Sequence, residues 1–146
     1  GSQLNMFGEI TGNNVDLTFG GAGVTNIISN ITTGSGTLTK NGTGTTTLQG
    51  TNTFTGNVTV NNGELQLNNS SALADTVLLT INSPGNVSIF TSERVGNIAG
   101  GGEILLNGGT TLTAGDATDR TFSGSISEFL GAGAFTKEGT GTLTLT

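Results

Sequence analysis

The sequence predicts an all-β chain, a right-handed parallel β-helix whose coils run about 21 to 30 residues. Three observations carry that prediction. Short runs alternate apolar and polar residues, among them "VDLTF" (15–19), "VTV" (58–60), "ELQL" (64–67), "VLLTI" (77–81), "VSI" (87–89) and "TLTLT" (142–146), and a period of two marks strands with one buried face. Turn dipeptides separate the runs: Asn41-Gly42, Asn62-Gly63, Pro84-Gly85 and Asn107-Gly108, read as sources of positive φ. The runs also recur at a step of twenty-odd residues, the length of one solenoid coil.

The elements follow in order from that step. "VTVNN" (58–62) aligns on "LTINS" (79–83) at a shift of 21, and "LTINS" on "ILLNG" (104–108) at 25. Backward by 21, "TLTKN" (37–41) falls beside "VTVNN"; forward by 30 from residue 104, "AFTKE" (134–138) is reached. Each step holds a second apolar strand past the turn: Leu48, then Leu65 and Leu67, then Val87 and Ile89, then Leu112, then Leu143 and Leu145. Stacking then predicts inward ladders of Val58, Leu79 and Ile104 and of Val60, Ile81 and Leu106, with Asn61, Asn82 and Asn107 in register at a corner. Helix signals are weak, and "SSALAD" (70–75) suits one turn at most.

Composition narrows the function classes. The 146 residues include 26 Gly, no His and no Cys, with ten acids against four cations for a net charge of −6. So few cations cannot neutralise a phosphate backbone, so no nucleic acid partner is expected. No basic segment followed by an apolar one opens the chain. Without His or Cys there is no Ser-His-Asp or Cys-His arrangement, and zinc would have carboxylates alone. No catalytic, cofactor-binding or metal-binding residue is therefore assigned, and no cofactor. Asp116 and Asp119 in "AGDATDR" form the one pair that could share a calcium with loop carbonyls, and a solvated loop is the favoured reading. Arg94 beside Glu93 and Arg120 beside Asp119 read as solvated loop charges. Triplets such as Asn57-Val58-Thr59 follow from the composition and imply no glycosylation.

The stretch "LTKNGTGTTTLQGTNTFTGNVTVNNGELQL" (38–67) closely resembles the autotransporter-associated β-strand repeat, also called the passenger-associated transport repeat. The matching residues are Leu38, Thr39, Lys40, Gly42, Gly44, Thr45, Leu48, Gly50, Asn52, Thr53, Thr55, Gly56, Val60, Gly63, Leu65 and Leu67. Phe54 replaces the usual Tyr, and Thr46 stands where the family prefers Leu. A second copy, "GAGAFTKEGTGTLTLT" (131–146), restores Leu143 and has Phe135 for the first Leu. The resemblance implies a β-helix from the secreted passenger of a Gram-negative autotransporter, exported unfolded through an outer-membrane barrel of the same protein. On this reading residues 1–146 are one solenoid fragment. Gly1-Ser2 reads as a cloning scar, and the resemblance makes 34–130 one long repeat and 131–146 the start of another.

Three function classes follow. The favoured one is a non-catalytic structural and transport-assisting module of a secreted, surface-displayed passenger, whose partners are neighbouring repeats and the barrel. An exposed C-terminal coil, "GTLTLT", is expected to self-associate through its strand edges, while "MFGEI" and "VDLTF" are expected to fold over the first coil as a cap. The second class is a glycan-active β-helix enzyme, which needs clustered carboxylates with Arg or Lys on one face; here the acids are scattered. The third is an ice-binding Thr array. Its register is expected to fail after two coils, since Thr59 and Thr80 would be followed by Leu105.

Overall fold

A computed structural model describes all residues, 1–146. Every strand pairing is parallel, and two seven-stranded sheets run the length of the stack, so the chain winds through seven coils. No helix interrupts them. Each coil passes three sides. The first side holds Gln3–Met6, Val24–Ile27, Thr45–Leu48, Glu64–Leu67, Asn86–Ile89, Glu103–Asn107 and Ser125–Phe129. The third holds Leu17–Phe19, Leu38–Lys40, Val58–Val60, Leu78–Ile81, Asn97–Gly100, Arg120–Phe122 and Leu143–Leu145. Between them lies a middle side with Ile10–Thr11 and Ile31–Thr32 at one end, and Glu93–Val95, Thr111–Ala114 and Ala134–Lys137 at the other.

Alternation along these short strands sends one set of side chains into the stack and the other outward. Val58, Val60, Leu79, Ile81, Ile104 and Leu106 are all buried, as the alternation predicts. They join a single core of 23 residues that includes Leu38, Leu48, Leu65, Leu67, Val87, Ile89 and Phe122. No coil can bury such a row alone; the coil above and the coil below complete it.

The register differs from the sequence reading in several places. Leu79 does pair with Val58, a step of 21, but its other neighbour is Ile98, at a step of 19, and Ile81 meets Gly100. Ile104 and Leu106 belong to the first side, stacked on Val87 and Ile89. The strand Asn97–Gly100 carries little signal in the sequence because Ala99 and Gly100 break the apolar alternation, whereas "ILLNG" imitates "LTINS". Leu38 sits beside Val58, not Thr59, so that step is 20; a shift of one residue would have turned Leu38 to solvent. Ala134 pairs with Thr111 and Phe135 with Leu112 on the middle side, in place of the step of 30. Leu112 and Leu143 consequently leave the Leu48, Leu67 and Ile89 ladder, which continues through Leu106 to Glu128.

Corners show why glycine recurs. Of the four turn dipeptides only Asn62-Gly63 has its glycine at positive φ, 66°. A Cβ on Gly42 would overlap the Gly21 carbonyl oxygen of the coil below, and one on Gly108 the Leu130 carbonyl. Backbone stacked on backbone, more than turn handedness, selects glycine there. The corner Asn ladder also forms, one step earlier than expected: Asn61 Nδ2 donates to Asn41 Oδ1 and Asn82 Nδ2 to Asn61 Oδ1, each at 2.8 Å. Asn107 is not part of it, donating instead to the Ile89 carbonyl. At the N-terminal end, Gln3–Met6 and Leu17–Phe19 pair in register with the second coil and so form a first coil, not a cap over one.

Candidate functional site

The repeated phrase builds a corner. Thr39 faces outward while Leu38 and Lys40 point into the stack, and Lys40 is only 1% exposed. Its ammonium turns back to the corner and donates to the Gly42 carbonyl and, at 3.2 Å, to the Asn62 carbonyl of the next coil. Burial lowers the Lys40 pKa from its ordinary value, because an ion loses hydration inside the stack. The aliphatic stem thus packs as core between Phe19 and Val60, and the charge closes the carbonyls of two coils.

In the second copy Lys137 Nζ donates to the Glu138 carbonyl and, at 3.3 Å, to that of Gly139. This corner joins the middle side to the third, whereas the Lys40 corner joins the third side to the first. The phrase therefore specifies a strand, a lysine-closed corner and a strand, on whichever edge it falls.

The middle side has no strand in the third and fourth coils, and two buried polar residues bridge the gap. Asn52, 4% exposed, accepts from Ile31 N–H at 2.7 Å and donates to the Ala72 carbonyl at 2.8 Å. Phe54 fills the space beside it, 1% exposed. Two coils further on, Glu93, 3% exposed, accepts from the Ala72 and Leu73 N–H groups, each at 3.2 Å. Glu93 is not the solvated loop charge read from the sequence. Burial pushes its pKa up to about 7, against the opposing pull of the Leu73 and Ala72 amides, and the nearby Asp75 carboxylate adds to the rise. The signal for it was the alternation of Glu93 with Val95, which places both inward.

Arg94, Asp75 and Glu138 lie outside. Arg94 bridges Asp75 at 3.3 Å and Glu138 at 3.0 Å on the exposed middle side. Asp116 and Asp119 each accept a backbone N–H. Asp116 Oδ1 accepts from Thr118 N–H at 2.6 Å and Asn97 Nδ2 at 2.9 Å, and the Thr118 bond foremost lowers its pKa. Asp119 Oδ1 accepts from Thr142 N–H at 2.7 Å. No group of three or more carboxylates converges on a metal-sized site. Arg120 is not the solvated loop charge read from the sequence: it lies in a strand on the row of buried Phe122, pairs with Leu143, is half-buried, and its buried Nε has no partner.

Two open grooves follow the corners. One, of about 480 Å³, is lined by Pro84, Gly102, Glu103 and Ser125, among others; the second, of about 550 Å³, by Asp75, Arg94 and Asp116, among others. Neither pairs two unengaged carboxylates across a cleft in the manner of glycoside hydrolysis.

Outward on the third side, Thr18 pairs with Thr39, Thr39 with Thr59 and Thr59 with Thr80. Ala99 follows Thr80. Gly100 pairs with Phe122, which sets Thr121 above Ala99, and Thr121 pairs with Thr144. The sequence step of 25 puts Leu105 after Thr80, so in the sequence alone the rank reads as broken.

A family model described as the passenger-associated-transport-repeat matches residues 38–67 and 135–146. No curated protein and no solved structure matched the chain.

Proposed function

Since the chain carries the passenger-associated transport repeat, we propose that it is a non-catalytic structural and transport-assisting module of a surface-displayed autotransporter passenger. One observation carries the reading: both matched segments fold as lysine-closed corners of a parallel stack in which each coil pairs only with its neighbours. Such a stack can form one coil at a time as the chain emerges from a pore, and each coil added buries apolar side chains that hold the coils already outside. Its partners are neighbouring repeats, which pair with the outer edges of Ser125–Phe129, Ala134–Lys137 and Leu143–Leu145, and the outer-membrane barrel that passes the unfolded chain. The cell surface of a Gram-negative bacterium is the proposed location.

The test places residues 1–146 between a signal peptide and an autotransporter barrel and compares protease-accessible surface display with that of the same segment carrying Leu65→Asp and Ile89→Asp. The proposal expects efficient display of the natural segment and stalling or loss of the unfoldable one. Equal display of both would contradict a role for coil formation in transport.

A further inference from the structure

We propose that the outward Thr and Asn rank of the third side is an ice-binding surface, whose ligand is crystalline water. The proposal rests on the coil register and is independent of the secretion role. Two adjacent columns make the rank: Thr18, Thr39, Thr59, Thr80, Ala99, Thr121 and Thr144 in one, and, one pleat further on, Asn41, Asn61, Asn82, Ser123 and Thr146, with Gly20 and Gly101 at the two remaining places. The columns therefore repeat along the stack every ~4.8 Å, and along each strand by about 6.6 Å. Ala99 alone interrupts the hydroxyl column, and it retains the methyl.

Comparison with the first side shows what sets this rank apart. There, outward groups satisfy one another: Asn26 donates to Asn5, Thr47 to Gln66, Ser88 to Glu64 and Ser127 to Glu103. On the third side the amides bond along the Asn column and fix its spacing. The Thr hydroxyls beside them donate to no protein partner; Thr18, Thr121 and Thr144 are exposed, and Thr39, Thr59 and Thr80 half-buried.

Charge distribution points to the same ligand. The chain carries a net charge of −6, yet neither column contains an outward charge. Lys40, between Thr39 and Asn41, points into the stack. Asp16 and Asp119, in the column on the other flank, have an oxygen committed to Thr37 and Thr142 of the adjoining coil. Glu64 and Glu103 lie on the first side, and Asp75, Arg94 and Glu138 on the middle one. A neutral lattice of water is matched by a neutral lattice of hydroxyls and methyls, whereas a charged group would hold its own hydration shell against the crystal. No aromatic ring stands in either column to stack on a sugar. The backbone is already ordered, so many weak contacts can add without a further entropy cost.

The experiment grows ice slowly through a solution of the chain and measures partition into the solid, with crystal shape under the microscope. The natural chain is expected to enter the ice and facet the crystals. Thr59→Lys and Thr80→Lys should each lower the partition at least about fivefold, while Ser125→Lys, exposed on the first side, leaves it unchanged; circular dichroism melts establish that all three fold. Exclusion of the natural chain from ice overturns the proposal. So does an equal loss in Ser125→Lys, or retention on insoluble cellulose or chitin without any effect on ice.

Discussion

Lys40 and Lys137 stand at the same place in two copies of one phrase, yet they close different edges of a three-sided stack. Lys40 is covered by the Val60 coil, whereas Lys137 lies in the outermost coil and is exposed. Lys40→Ala should therefore leave a cavity and unpaired corner carbonyls, costing ~2 to 4 kcal/mol. Lys137→Ala should cost under ~1 kcal/mol. Urea unfolding of the two variants checks the difference; equal midpoints would mean that burial of the lysine is unimportant.

Glu93 makes stability depend on pH. Its folded pKa, about 7, lies above the ordinary 4.5, so the folded chain holds a proton that the unfolded chain has released. The contribution is complete below pH ~4.5 and is lost as pH rises through ~7, amounting to as much as about 3 kcal/mol. Thermal melts at pH 5 and pH 8 should show the natural chain weaker at pH 8, with the difference much reduced in Glu93→Gln. A natural chain equally stable at both would contradict the buried, protonated carboxyl.

Asn52 holds the middle side together where strands are missing. Asn52→Ala strands the Ile31 N–H and the Ala72 carbonyl in a buried place, at a cost of ~2 to 4 kcal/mol. Amide hydrogen exchange should quicken first at Ile31. Unchanged protection there would show that another acceptor serves it.

The periodicity reading recovered the fold class, the step from Val58 to Leu79 and the inward set, because those strands alternate cleanly and repeat their lengths. It lost the register where alternation lapses, at Asn97–Gly100, and with it the Thr column that resumes beyond Ala99. The burial of Lys40 and Glu93 was hard to read for another reason. A charged residue reads as outward unless its position between inward neighbours outweighs its hydration, and only the stack supplies the carbonyls and amides that make burial tolerable.

The strand edges of the last coil are unpaired, and Leu145 there is 55% exposed. Copies of the chain should accordingly associate end to end with rising concentration, and Thr144→Pro should reduce the association by removing a ladder donor. Sedimentation over a concentration series tests this. A strict monomer throughout, unchanged by the substitution, would contradict it; Glu128, at the end of the apolar ladder over Leu106, is the group that would then be blocking the stack.

The account turns on which strand follows Leu78–Ile81, because the inward ladders, the Thr column and the lysine corners all depend on it. The chain has no native cysteine, so engineered pairs report the register without background. Thr80 and Ala99 are in-register neighbours on adjacent strands, within the roughly 4.4 to 6.8 Å between Cα atoms that a disulfide accepts. Oxidation of the double variant Thr80→Cys, Ala99→Cys should give an intramolecular disulfide in the folded chain, while Thr80→Cys with Leu105→Cys should remain reduced. A disulfide in the second pair and none in the first would contradict the seven-coil register.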